Sequence, residues 1–375
     1  MRSGFLPARI VHVHPTRLCN LACAHCYSSS SPHFSTTLDL GLLLDVLGEL
    51  RTEGYEVLSV SGGEPLVYRG LLGLLRGAAT LGYRIHLVTN GLLLTRDRLA
   101  TMRDCLDQVA VSFDGAGDTH NRVRGRPDAF EKANAALEVL ALSDVPFALA
   151  FGVSTHSLPD IPWAYERARE VGASLLHLRP LVSTGRAQDL SNDWFLSAED
   201  CARLFVLGGL LDYGTTIVPR VQVDLVGVHQ LEDAIKQFPS LPPGAAIDVL
   251  SDHVNPIVID DAGRMLPFTY GINRAFLIGE LTTGFKDTLA CYKHHGGPRL
   301  ATLIERAFAD AKHQGFEYLD WFAHVTRVSE QFDGSAEMPG AFVHRPWHRS
   351  SALVARPHAD YVAAAARGSL ENGIL

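Results

Sequence analysis

Between Arg9 and about Pro180 the chain alternates two patterns: short runs rich in β-branched and apolar residues, and longer stretches whose apolar residues recur every three or four positions. The short runs predict strands at Ile10–His14, Val57–Val60, Arg84–Val88, Gln108–Phe113, Phe147–Val153 and Leu175–Leu178. The longer stretches predict helices over Leu38–Leu50, Leu71–Leu81, Asp97–Cys105, Ala129–Leu142 and Pro159–Val171. Asp128 stands where an N-cap belongs and Gly172 where a helix stops. Strands alternating with helices in this way form βα units around a parallel sheet. Six such units are too few to close an eight-stranded barrel. The expected fold class is therefore α/β, a partial (β/α)6 TIM-like barrel, followed by a smaller C-terminal α+β region.

In parallel βα architectures, function collects in the loops at the carboxyl ends of the strands. Every unusual polar or glycine-rich segment of the first half falls there. The first strand leads into Leu18-Cys19-Asn20-Leu21-Ala22-Cys23-Ala24-His25-Cys26-Tyr27, the second into Ser61-Gly62-Gly63-Glu64-Pro65, the third into Thr89-Asn90-Gly91 and the fourth into Ser112-Phe113-Asp114-Gly115. Gly152-Val153-Ser154 ends the fifth and Arg179-Pro180 the sixth, so all six would share one rim.

Composition narrows the class. The 375 residues, 47% of them hydrophobic, are enough for one large domain and an appendage. A net charge of −8 disfavours a nucleic-acid partner, and the most apolar stretch, Ala136 to Val153, is broken by charged residues and Pro146, so no membrane span is expected. The first fifteen residues carry no apolar segment of signal-peptide length, and the expected location is the cytoplasm. Six cysteines at 19, 23, 26, 105, 201 and 291 do not form a disulfide framework, and three of them are bunched.

Cys19, Cys23 and Cys26 are spaced C-x3-C-x2-C. Three thiolates so placed can hold three irons of a [4Fe–4S] cube and leave the fourth iron without a protein ligand, free to chelate a small molecule through amino and carboxylate groups. A zinc site is the alternative, with His12, His14 or His25 as a fourth ligand. Gly62-Gly63-Glu64-Pro65 gives a backbone that approaches a ligand closely and offers carbonyls and a carboxylate to an ammonium group. Ser112 and Asp114, two apart, point to one face and suit ribose hydroxyls, as do Thr89 and Asn90, although Asn90-Gly91 is also an ordinary turn.

These motifs together resemble the radical S-adenosylmethionine (SAM) superfamily. The resemblance covers Ile10 to about Ala187 and, loosely, Pro256 to Leu281. It implies a [4Fe–4S] cluster on Cys19, Cys23 and Cys26, and SAM bound by Tyr27, Gly62, Gly63, Glu64, Pro65, Thr89, Asn90, Ser112, Asp114 and Arg124. Arg124 of Asp118-Thr119-His120-Asn121-Arg122-Val123-Arg124-Gly125 would pair with the methionine carboxylate, with Arg122 as its competitor. His25 occupies the place where relatives carry an aromatic residue near the adenine. The reaction so implied is one-electron cleavage of SAM and hydrogen abstraction by a 5′-deoxyadenosyl radical. An external one-electron reductant such as flavodoxin or ferredoxin would supply the electron.

The segment Pro180-x4-Gly185-Arg186-Ala187 resembles the SPASM and twitch branch, whose C-terminal regions usually hold auxiliary clusters. Domain limits of 1–190, 191–290 and 291–375 follow from this reading. A helix is expected over Ala198–Leu211, a strand over Thr216–Val226, a helix over Gln230–Phe238, a boundary loop over Pro239–Gly244, and a hairpin over Pro256–Phe268 with Leu277–Leu281. In the hairpin a cysteine would follow the proline, but Phe268 stands there. Cys201 and Cys291 cannot supply the ligands of auxiliary clusters, so they and Cys105 read as buried hydrophobes. The expected substrate is a ribosomal peptide or natural-product precursor, the alternatives being a small molecule of cofactor or antibiotic biosynthesis, or a non-catalytic iron–sulfur or zinc protein. The histidines at 294, 295, 344, 348 and 358 read as surface residues, and the Pro-, His- and Arg-containing tail from Ser335 as a lid or an irregular segment.

Overall fold

The computed structural model describes residues 8–213, 219–231 and 246–332. Its centre is a ten-stranded sheet. Strands β1 (Ile10–Val13), β2 (Val57–Val60), β3 (Arg84–Thr89), β4 (Gln108–Phe113), β5 (Phe147–Val153) and β6 (Leu175–Pro180) run parallel in sequence order. Between them lie helices α1 (Leu40–Thr52), α2 (Leu71–Thr80), α3 (Arg96–Met102), α4 (Gly117–Arg124), α5 (Ala129–Ala141) and α6 (Ile161–Val171). Helix α7 (Ala198–Tyr213) leads to β7 (Arg220–Val223), which pairs in parallel with β6.

At the other side β9 (Ile257–Ile259) lies parallel to β1, and β10 (Arg264–Pro267) and β11 (Gly279–Glu280) add two antiparallel strands at the edge. The short β8 (Val226–Gly227) pairs with β12 (Tyr318–Leu319) in a separate ribbon. Helix α8 (Phe285–His313) and helix α9 (Trp321–Ser329) complete the described chain. Among the described residues no pairing joins the outermost strands, so the barrel is open, as a partial barrel requires. No described helix is long and apolar enough to cross a membrane.

Alternation along the strands sorts the two faces of the sheet. Val11 and Val13, Leu58 and Val60, Ile85 and Leu87, Val109 and Val111, Leu149 and Phe151, and Leu176 and Leu178 lie in the core that the helices cover. With eight parallel strands side by side, this apolar layer is nearly continuous. The other, concave face carries polar residues, and the site is built there.

Several boundaries depart from the sequence reading for local reasons. Helix α3 stops at Met102 and a 3-10 turn, Arg103–Cys105, takes over. The segment from Gly117 to Arg124, for which the apolar spacing predicts no helix, is helix α4. It begins on Gly117 and closes on Gly125 in the left-handed region, φ 67°. Gly172 ends α6 as expected, also left-handed at φ 74°. Asp128 occupies the N-cap position of α5 but makes no capping bond, because its carboxylate pairs with Arg126 and Lys132. The expected strand over Thr216–Val226 breaks at Asp224 into β7 and β8, and residues 216–218 lie outside the described residues. So do 232–238 of the expected helix, the loop at 239–244, and the tail with its histidines 344, 348 and 358.

The hairpin β9–β10 forms as read, and Phe268 follows it with φ 67°. Cys201 lies in α7 and Cys291 in α8, and neither they nor Cys105 are buried: all three are half-exposed. Helix α8 runs through Gly296, Gly297 and Pro298. Its length exceeds anything the glycines and proline there suggested.

Candidate active site

The cysteine loop leaves the end of β1 and is pinned from several sides. Cys19 N–H donates to Ser31 O (3.2 Å), Ala24 N–H to Val123 O of α4 (2.9 Å), and Ser30 N–H to the Cys26 sulfur (3.3 Å). The chain just past β6 reaches back to it. Arg186 N–H donates to Cys26 O (3.0 Å) and Arg186 Nε to Cys23 O (2.9 Å). Gly185 beside it is left-handed, φ 62°, and a Cβ there would lie 2.2 Å from Tyr27 O and 2.5 Å from Cys26 O. Only glycine allows this approach. The Gly-Arg-Ala segment is thus a clamp on the cysteine loop, a role that its sequence did not reveal.

The glycine loop after β2 packs on the same backbone. Gly62 has φ 109°, and a Cβ on Gly63 would lie 2.1 Å from Leu18 O. Gly63 N–H donates to Thr16 O (2.9 Å) and Glu64 N–H to Leu18 O (3.0 Å). Glu64 is buried, and its carboxylate accepts from Thr89 Oγ1 (2.7 Å), Asn90 N–H (2.9 Å) and Leu66 N–H (3.1 Å). Burial raises its pKa and those three donors pull against that rise. Pro65 opens the short turn that Glu64 caps. Glu64, Thr89 and Asn90 therefore form one unit joining β2 and β3. Asn90 extends it by donating Nδ2 to Asn20 Oδ1 (2.7 Å), with the Cys19 sulfur 3.9 Å away.

Asp114 and Arg124, assigned to two different ligand groups from sequence, meet each other. Arg124 Nε lies 2.5 Å from Asp114 Oδ2, a charge contact without directed hydrogen-bond geometry, and both side chains are buried. Arg124 Nη1 is 3.9 Å from the Cys23 sulfur. His25 Nε2 contacts Asp114 Oδ1 at 2.8 Å, so this histidine braces the loop through the carboxylate. The opposite charge on Arg124 holds the Asp114 carboxyl far below the usual range despite its burial. Arg122 is exposed, whereas Arg124 is buried beside the cysteine loop. Ser112 is half-buried on the concave face. Tyr27 OH lies 3.3 Å from both His14 Nε2 and Ser61 Oγ, and its ring packs edge-on against Tyr270, which stacks on His14. Tyr270 and Asp261, which bond at 3.1 Å, were not singled out in the sequence, because the hairpin's return to β1 is a long-range event.

The donor set is three free thiols on one loop. Among the described residues, no three His, Cys, Asp or Glu side chains converge as a single-ion site requires. The three thiols instead lie along one loop, close enough to influence one another's ionisation. Burial pushes the Cys19 thiol up to about 12, so an iron centre would displace its proton on binding. Asn90 and Arg124 offer N–H groups toward two of the sulfurs, the kind of contact that tunes iron–sulfur sites.

Fold and site together give an open parallel barrel in which three thiols lie on the loop after β1 and the Gly62–Gly63 loop packs against that loop's backbone. Residues 13–167 match the family model described as the radical SAM superfamily, so this part of the chain carries a radical SAM domain. The cofactors of that family are a [4Fe–4S] cluster and SAM. The chain is 37% identical over 186 residues to an AdoMet-dependent heme synthase of Methanosarcina barkeri, a match covering 48% of this chain and 53% of that protein. It is 27% identical over 176 residues to the sporulation killing factor maturation protein SkfB of Bacillus subtilis, covering 46% and 43%. The chain thus spans about half the length of the curated relatives it matches. Among solved structures, anSMEcpe with bound AdoMet and a Cp18Cys peptide superposes with TM-score 0.57 at 18% identity, over 85% of this chain and 88% of that one, a likeness of fold.

Proposed function

We propose that this chain is a radical SAM enzyme that cleaves SAM reductively at a [4Fe–4S] cluster on Cys19, Cys23 and Cys26 and removes a hydrogen atom from a substrate on the concave face. The observation that carries this reading is the cysteine loop itself, seated on the Gly62–Gly63 backbone and clamped by Gly185 and Arg186. When bound, cluster and SAM supply an electron and a carbon-centred radical. The protein's share is to hold and orient.

The Gly62 and Gly63 carbonyls, kept in shape by Glu64 and Pro65, serve the amino group of SAM. Ser112 serves a ribose hydroxyl, and Tyr27 bounds the recess beside Cys26. Glu64, Thr89 and Asn90 act by fixing the glycine loop to the cysteine loop. Asp114 and Arg124 act by fixing and charging the surroundings of Cys23, since each is neutralised by the other. The electron comes from a one-electron reductant such as flavodoxin or ferredoxin, and an oxygen-sensitive cluster belongs in the cytoplasm. The acidic net charge speaks against nucleic acid as the partner.

Two substrate classes have support. The heme synthase relative favours an organic molecule of tetrapyrrole type. The SkfB relative, and the peptide bound in the similarly folded anSMEcpe, favour a ribosomal peptide. The central test is anaerobic reconstitution with iron and sulfide, followed by reduction in the presence of SAM. Formation of 5′-deoxyadenosine by the wild type and its loss in Cys23→Ala are expected. A reconstituted protein that carries a [4Fe–4S] spectrum yet yields no 5′-deoxyadenosine, or a Cys23→Ala variant that yields as much as wild type, would refute the reading.

A further inference from the structure

The concave face holds a second group of charged residues, on the far strands from the cysteine loop. His177 and Arg179 project from β6 and Asp224 follows β7 directly. His177 Nε2 lies 2.5 Å from Asp224 Oδ1, and Arg179 Nε lies 3.0 Å from Asp224 Oδ2. The aspartate is thereby occupied on both oxygens and fixes the guanidinium by its Nε edge. Among the described residues neither Nη group of Arg179 makes a hydrogen bond or ion pair.

Arg179 is also accessible in a place where a side chain would ordinarily be covered. It sits on an inner strand, yet its side chain is 57% exposed. Its register partner on β5 is Gly152, and Ala150 and Ala148 continue that row, so β5 provides a low floor beside it. A Cβ on Gly152 would lie 2.5 Å from Asp114 Oδ1, which places Arg179 about one strand spacing, ~5 Å, beyond the residues bracing Cys23. Across the face, His12 on β1 is within electrostatic range of Arg179 and Asp224 and is kept neutral by burial, its pKa lowered to about 3. Asp320, which caps α9 by accepting from Ala323 N–H (3.0 Å), is near enough to Arg179 and Asp224 to interact.

We propose that Arg179, positioned by Asp224 and His177, is the anchor for a carboxylate group of the substrate. The proposal rests on the reading of the concave face as the substrate site and names the chemistry of what binds there. A guanidinium held at Nε and open at both Nη groups matches the two oxygens of a carboxylate. A phosphate would call for further backbone N–H donors or a second cation at the Nη edge, whereas the neighbours of Arg179 are Asp224, Asp320, Tyr27 and the neutral His12, and the one other basic group, His177, is turned to Asp224. An anchor on this face orients the substrate through its carboxylate and leaves its C–H bonds free.

A carboxylate can come from a propionate-bearing tetrapyrrole or from an acidic residue of a peptide, and the test separates them. Binding to the anaerobic, cluster-loaded protein is measured by fluorescence and calorimetry with two probes. One is coproporphyrin III, compared with its methyl ester; the other is an aspartate-containing octapeptide, compared with its asparagine form. The expected result is that one probe binds wild type, that masking its carboxylate weakens binding, and that Arg179→Gln weakens it by 10- to 100-fold, the range of a charge-assisted pair. Arg179→Lys, which keeps the charge and loses the fork, falls between. Cluster absorbance and the near-UV circular dichroism of each variant establish that it is folded. The probe that responds identifies the source. If neither probe binds wild type at millimolar concentration, or if binding survives Arg179→Gln or ester formation in a folded protein, the proposal is wrong. Because the readout is binding, a lack of 5′-deoxyadenosine in the earlier test would overturn the radical reading and leave this one standing.

Discussion

Substituting Gly185 by alanine tests whether the clamp governs the cysteine loop. The new Cβ would lie 2.2 Å from Tyr27 O and 2.5 Å from Cys26 O, inside the 3.0 Å that real Cβ atoms essentially never cross. The carbonyls or the clamp must then separate by about 0.8 Å or more, enough to abolish the 3.0 Å bond from Arg186 N–H to Cys26 O and to strain the 2.9 Å bond from Arg186 Nε to Cys23 O. Left-handed backbone costs an alanine about 1–2 kcal/mol. The neutral bond contributes about 1 kcal/mol and the charged one about 1.5–3 kcal/mol. The expected loss is about 4 kcal/mol. Gly172→Ala is the control, because Gly172 is also left-handed, at φ 74°, but nothing lies within 4 Å of an added Cβ. It should lose only the backbone part, about 1–2 kcal/mol. Urea unfolding of both variants measures the difference, and iron content after anaerobic reconstitution measures the consequence. Gly185→Ala should load less than half the iron of wild type and Gly172→Ala a full complement. Equal stability losses together with equal iron loading in the two variants would refute the reasoning.

Other outcomes follow from the same geometry. Asp114→Ala leaves Arg124 buried without its counter-charge and should cost about 3–5 kcal/mol in urea unfolding, much of it recovered in Asp114→Ala/Arg124→Met. Glu64→Gln sets an amide N–H₂ against donors that now converge on a carboxylate, so a loss of about 2–3 kcal/mol and a lower Tm are expected. Burial lifts the Asp320 carboxyl to about 6, above its unfolded value of about 3.9. The folded state therefore holds this proton longer, and the associated stability is complete below about pH 4 and lost as pH rises through about 6. Asp320→Asn keeps a capping side chain and should gain on wild type by on the order of 2 kcal/mol between pH 4 and 7 in denaturation series; parallel profiles would contradict this.

The six central strands were legible because each is a short apolar run flanked by glycine or polar residues, and because inner parallel strands must be apolar on the helix-covered side. Helix α4 was hidden by its polarity, as only Val123 among its residues is a buried aliphatic. The pairing of β9 with β1 was beyond reach, since nothing in Ile257-Val258-Ile259 says which strand it joins. The cysteines and the glycine loop were readable as motifs because their spacing carries the chemistry. Roles within the motifs were less so. Asp114 and Arg124 each look like a ligand group in isolation, and only the turn of α4 shows that they neutralise one another. Glu64 looks like a hand held out to an ammonium, whereas three protein donors already surround it.

Arg186 grips a carbonyl that lies 163 positions earlier in the chain. During synthesis the three thiols therefore leave the ribosome long before the residue that fixes their loop exists. A nascent chain ending at the sixth strand would expose the cysteines on an unsecured segment, open to oxidation and to adventitious metals. The loop that carries the three thiols is thereby fixed only after the polypeptide has passed Ala187.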